Sequence, residues 1–181
     1  FYLGKNYAIT TGFALAVNQG GTLRHDRGGK LLPNSDIESV ENGELPDGVE
    51  IKYNLQYMEI PVGFKLFTDV NNGKQWFVEF PVLNLGINVR ATGDIEGGSG
   101  ANQVNEEDLN IRKDVFTFNM SFGVNLGVVI NSQGSFHYVV GVGYQRSLFD
   151  VTKNDGVKNN GSEEDSKSVF NAFVFRAGMF F

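Results

Sequence analysis

From Val115 to Ile130 the chain alternates in character. Phe116, Phe118, Met120, Phe122, Val124, Leu126, Val128 and Ile130 fall on one face, and Thr117, Asn119, Ser121, Gly123, Asn125 and Gly127 on the other. A period of two held over this length specifies a β-strand with two unlike sides. At about 3.3 Å per residue such a strand outruns those of ordinary soluble domains and is long enough to cross a bilayer when tilted. The pattern recurs over Tyr7–Asn18, Phe136–Ser147 and Val169–Phe181. Ile51–Thr68 and Gln75–Thr92 are less regular. Each changes phase once, near Tyr57 and near Pro81, which predicts a bulge, and proline suits a bulge. Helical periodicity is missing throughout.

The connections alternate too. Lys5-Asn6, Asn71–Lys74 and Asn131–Ser135 are short and have hairpin-turn chemistry, whereas roughly 20–50, 93–114 and 150–168 are long. Strict alternation gathers the long loops at one end of the sheet, the layout of transmembrane barrels. The expected fold is therefore all-β: one antiparallel up-and-down transmembrane β-barrel domain over residues 1–181. Phe1–Gly4 reads as the end of a descending strand, and the chain finishes on another. An even, closed barrel then predicts eight strands in the full protein, with about six plus a stub present here and the N-terminal strands largely absent.

Alternation alone also fits a soluble lipocalin-like barrel with its apolar face inward. Charge separates the two. Tyr7–Gly20, Val115–Asn131 and Phe136–Gln145 carry no charged residue, so their second face offers little to bulk water. The three long loops hold 18 of the 21 acidic residues and 8 of the 15 basic ones. Nearly uncharged strands joined by charged loops follow from the cost of charge in hydrocarbon. With 23 Gly, 16 Phe and only 4 Pro, composition favours strands and tight turns. The absence of cysteine excludes disulfides and thiol chemistry. A net charge of -6 argues against a nucleic-acid partner. No apolar run is long enough for a membrane-spanning helix.

Three stretches carry a family resemblance. Leu55–Leu66, LQYMEIPVGFKL, resembles the "YLEIP…K" strand of the PorT-like outer-membrane β-barrels of Bacteroidetes. Phe1–Leu23 is similar to that family's strand, turn, strand region, and Phe77–Ala91 to the strand that follows. The terminal alternation of Phe173, Phe175, Met179 and Phe181 resembles the signal read by the outer-membrane assembly machinery, although Ala177 stands where a larger apolar residue is usual. The resemblance implies an eight-stranded barrel in the bacterial outer membrane, in a family tied through PorT to type IX protein secretion.

Charges inside strands are the candidate functional groups. By phase, Glu59, Lys65, Arg90 and Arg176 are expected to point inward, and Glu79 to join them if a bulge lies near Pro81. They read as a paired polar cluster filling the lumen, since buried charges need partners and an eight-stranded interior is just filled by its side chains. As an acid pair for glycoside chemistry, Glu59 and Glu79 lack supporting residues, and the chain is expected not to be an enzyme. His137 reads as lumen filler, and with His25 far away in sequence no histidine metal site is expected. Glu106-Glu107-Asp108 and Glu163-Glu164-Asp165 lack calcium-loop spacing and read as solvated charge runs. Neither cofactor nor metal is expected. Tyr7, Tyr57, Trp76, Phe136, Tyr138 and Tyr144 are candidates for interfacial girdles. The expected partners are outer-membrane lipid and envelope or secretion-complex proteins. The expected role is accessory or structural, with a ligand-binding soluble barrel or a surface adhesin or transport barrel as alternatives.

Overall fold

A computed structural model describes residues 1–98, 100–131, 137–165 and 167–180. The strands in chain order are β1 (Tyr7–Thr11), β2 (Ala14–His25), β3 (Gly29–Lys30), β4 (Val49–Phe67), β5 (Lys74–Gly97), β6 (Val104–Asn110), β7 (Phe118–Asn131), β8 (His137–Ser147), β9 (Val157–Lys158) and β10 (Asn171–Phe180). The protein is all-β, and the main sheet is antiparallel in the order β1-β4-β5-β7-β8-β10, with β2 also on β4 and β6 also on β5. β1 and β2 form one stave. Tyr7 opposes Leu66 and Ala14 opposes Glu59 in the same register. The ladder lapses at Gly12-Phe13, opposite Pro61, which has no N–H to donate. β6 and β7 likewise share the far edge of β5. The result is the six staves that the alternation predicts.

The large faces point outward. Phe118 is 73% exposed and Phe175 84%, while Glu79 and Asn125 on the opposite face are 1% exposed. Met58, Ile60, Val62, Leu85, Ile87, Leu126, Val140 and Val142 continue this exposed apolar band around the sheet. β8 has 11 residues and β10 has 10. At about 3.3 Å per residue and a tilt of roughly 40° they rise about 25–28 Å, the height of a bilayer-facing apolar belt.

Three expectations need correction. First, β4 keeps its phase through Tyr57: Val49, Ile51, Tyr53, Leu55, Tyr57 and Glu59 are all buried. What changes is the character of each face. The outward series runs from Glu50 and Lys52 to Met58, Ile60 and Val62, and the inward series passes from apolar residues to Glu59. The register shift at this level inserts its extra residue into β5, where Gln56 opposes Arg90 and Tyr57 opposes Asn88. The shift expected near Pro81 is present between Glu79 and Val82. Second, parts of the stretches expected as long loops are strand: β2 runs to His25, β4 starts at Val49, β5 runs to Gly97, and β6 lies within 93–114. Cross-strand pairing sustains these extensions, with Lys52 Nζ 3.0 Å from Asp94 Oδ2 on the outer face. Third, β7 starts at Phe118 because Val115 peels off to bridge Thr152.

The turn at Asn71–Lys74 has the predicted chemistry. Asn72 and Gly73 have φ of 50° and 71°, and the Asn71 N–H donates to the Lys74 carbonyl at 2.8 Å. The Asn131–Ser135 turn lies outside the described residues from 132 onward. Phe1–Leu3 folds back on the free edge of β1, with Tyr2 bridging Ala8 and the Leu3 N–H donating to the Tyr7 carbonyl at 2.9 Å. β10 pairs with β8, and β1 and β2 pair with β4. No described ladder joins β10 to β1 or β2, so among the described residues the sheet is open along that seam.

Candidate site: a polar inner face beneath an apolar cap

Above the apolar band the polarity is conventional. Val49, Ile51, Tyr53 and Leu55 of β4 pack inward with Ala91 and Ile95 of β5, and the loops close over them with Leu31, Leu32, Leu45, Val104, Ile111, Val115 and Val151. Burying these side chains stabilises the cap at about 25 cal/mol per Å² of apolar surface. The short ribbon of β3 on β9 ties the first and third long loops together. Asp114 fastens the first loop to the second by accepting from the Asn34 backbone N–H and side-chain amide, each at 3.0 Å, and from the Ser35 hydroxyl. The acidic run at 163–165 is not wholly solvated. Glu164 is buried, its Oε2 3.4 Å from His25 Nδ1 and 3.8 Å from Lys158 Nζ. Burial holds the His25 imidazole below the ordinary histidine value, and the Glu164 carboxylate partly opposes that shift. Outside, the Asp94 carboxyl is held below the ordinary value, chiefly by the backbone N–H of Asp108 and then by Lys52.

Beneath the cap, Glu79 is the hub of the inner face. Its Oε2 accepts from Arg176 Nη1 and from Asn125 Nδ2, both at 2.8 Å, and its Oε1 accepts from the Thr10 hydroxyl. Thr10 lies on β1 and Arg176 on β10, so one carboxylate on β5 holds both edges of the sheet from inside. Lys65 also points inward, with Nζ 4.3 Å from the centre of the Phe77 ring. That ring lies over the paired glycines Gly127 and Gly141, where a Cβ on Gly127 would meet Phe77 Cζ at 2.5 Å. Glu59 and Asn84 are buried on the same face, and Asn84 Nδ2 donates to Ser121 Oγ at 3.0 Å.

The structure therefore brings Glu79, Lys65 and Arg176 together and sets Glu59 apart on the same inner face. Arg90 is the exception. The extra residue in β5 turns it outward, and its Nη2 lies 3.9 Å from Asp108 Oδ1 at an exposed position. The sequence reading missed Thr10 and Asn125, since nothing local marks them as partners of Glu79. Trp76, Tyr7 and Tyr138 face outward near the short-turn end, Tyr144 faces outward at the other end, and Tyr57 is fully buried beneath the cap. Tyr57 therefore belongs to no girdle. Phe173, Phe175 and Met179 are exposed along β10. Phe136 and Phe181 lie outside the described residues.

Among the described residues no cluster of three or more His, Asp or Glu is placed to hold a metal ion, and no helix is long and apolar enough to cross a membrane. Comparison with protein-family models, curated proteins and solved structures finds no match. The class that the fold itself defines is an antiparallel all-β sheet whose polarity is inverted along its lower half.

Proposed function

We propose that this chain is the greater part of a small β-barrel of the bacterial outer membrane, closed at eight strands in the full protein. Its lumen is plugged, and it acts without catalysis as a structural or accessory component of an envelope or protein-secretion complex. One observation carries the reading: a continuous belt of exposed large apolar residues surrounds an inner face holding Glu59, Glu79, Asn84 and Asn125. Water outside the belt would leave that apolar surface unburied, whereas lipid makes it favourable. A lipocalin-like carrier would turn the same faces the other way.

Eight strands follow from parity once the Phe1–Leu3 segment is counted as a stave. β2 and β10 run antiparallel to each other, and Phe1–Leu3 already lies antiparallel on the free edge of β1. One more strand between that segment and β10 restores antiparallel pairing all round and leaves no edge in hydrocarbon. The apolar cap and the Glu79 hub block passive diffusion, so action falls to protein contacts at the rim. The likeness to PorT-like barrels points those contacts toward secretion, and the aromatic face of β10 serves as the assembly signal.

The test is envelope fractionation of the full-length protein, followed by detergent gels with and without boiling. Recovery in the outer membrane with a mobility shift on boiling is expected. Aqueous recovery without a shift overturns the reading. For the accessory role, cross-linking in native envelopes is expected to capture a defined protein partner, and a protein that stays monomeric without cross-linked neighbours overturns it.

A further inference from the structure

Glu59 is 5% exposed and lines a cavity of about 640 Å³ bounded by Ala14–Gly20 of β2 on one side and Phe170–Arg176 along β10 on the other. Asn84 and Gln145 line its floor. The cavity is thus the inner side of the open seam. Among the described residues Glu59 has no hydrogen-bond or ion-pair partner. The nearby cations are committed elsewhere: Arg176 to Glu79 at 2.8 Å, and Lys65 to the Phe77 ring at 4.3 Å. Closing the seam removes the remaining water from this carboxylate. An ionised group left alone in such an interior is strongly destabilising, and a paired one is not.

We infer that the strand closing the seam beside β2 carries an inward-facing lysine or arginine that pairs with Glu59. The inference rests on the eight-stranded reading. The occupant is the polypeptide that continues the Phe1–Leu3 segment, because that segment already occupies the free edge of β1 and its direction carries it up the seam. The register locates the residue. Tyr2 opposes Ala8, and Ala14, in line with Ala8 on the same stave, opposes Glu59. Continued pairing sets the strand residue about six positions ahead of Tyr2 opposite Ala14, with its side chain on the inner face, because directly opposed residues share a face. A strand pair whose inward residues at that level are all neutral leaves Glu59 uncompensated.

The experiment uses the full-length protein folded in phosphatidylcholine vesicles, as wild type, Glu59→Gln and Glu59→Asp. Amide hydrogen exchange over Leu15–Gln19 and Phe173–Arg176 reports closure. Urea titration reports the folding equilibrium. Protected edges are expected, with at least ~30-fold loss of the folding equilibrium constant in Glu59→Gln and a smaller loss in the charge-conserving Glu59→Asp. Protected edges with a neutral or stabilised Glu59→Gln overturn the cation and leave the barrel reading standing. Unprotected edges overturn both. If Glu59→Gln does not fold, isotope-edited infrared spectra of the wild type decide: an ionised Glu59 at neutral pH supports the pair, and a protonated one overturns it.

Discussion

Glu79 sits on β5 yet holds side chains from both ends of the sheet, Thr10 on β1 and Arg176 on β10, with Asn125 of β7 between them. Replacing Glu79 by alanine leaves three donors without their acceptor and the Arg176 charge without its partner. The expected cost is about 2–4 kcal/mol, read as a shift in urea unfolding in vesicles. Arg176→Ala is expected to cost less in the same titration, because its side chain is partly exposed and water takes over some of the lost interaction. In the cap, His25 faces Glu164 and Lys158 and is held below its ordinary value by burial. The unfolded chain therefore binds a proton at a higher pH than the folded one. The cap's stability is expected to be full above roughly pH 6.5 and to fall as the pH drops below it. Amide exchange around residues 25 and 164 as a function of pH checks this, and His25→Gln is expected to flatten the dependence.

At the scale of the element, β4 shows how one strand serves two environments. Its inward series is unbroken from Val49 to Glu59, but what lies outside changes between Lys52 and Met58. A strand read by hydrophobicity alone switches phase there. Read by geometry it does not, because the two sides exchange solvents and not positions. Arg90 faces outward, against its phase, for a related reason: the extra residue sits in β5, and only the register reveals which strand of a pair carries a bulge. The turn between β4 and β5 is local by contrast. Gly73 adopts φ of 71°, so Gly73→Val is expected to cost roughly 1 kcal/mol or more and to slow pairing of β4 with β5, measured by refolding kinetics and the urea midpoint.

For the whole molecule the decisive quantity is the environment of the apolar belt. Val140 is exposed at mid-height on β8, flanked by Leu126 and Val128 of β7 and Val142 of its own strand. Under the membrane reading Val140→Arg is expected to weaken folding into vesicles by about 2–4 kcal/mol, while Lys52→Gln, on the charged outer face above the belt, is expected to be nearly neutral. Equal, small effects of both overturn the lipid-facing assignment. The two tiers also differ in how they are held together. The cap depends on apolar residues drawn from three loops, and the lower tier on backbone ladders and one charged hub.

The sequence by itself determined the six long staves, the alternation of their faces, the inside-out polarity of the lower half and the Asn-Gly turn. All of these depend on residues within a few positions of one another, where a period of two or a left-handed φ preference is legible. It also determined that Glu59, Lys65 and Arg176 share the inner face, because that follows from phase, and that Glu79 joins them only through a bulge near Pro81, which the register supplies. Only the tertiary structure decided that Glu79 takes the Arg176 charge while Glu59 takes none, since those two residues are 97 positions apart in sequence and meet only because the sheet curls. It alone decided that loops read as solvated charge fold into an apolar cap, that Glu164 is buried within it, and that among the described residues no ladder joins β10 to β2 across the seam. Pairing between distant segments follows from register and closure, and neither is written in the local spacing of residues.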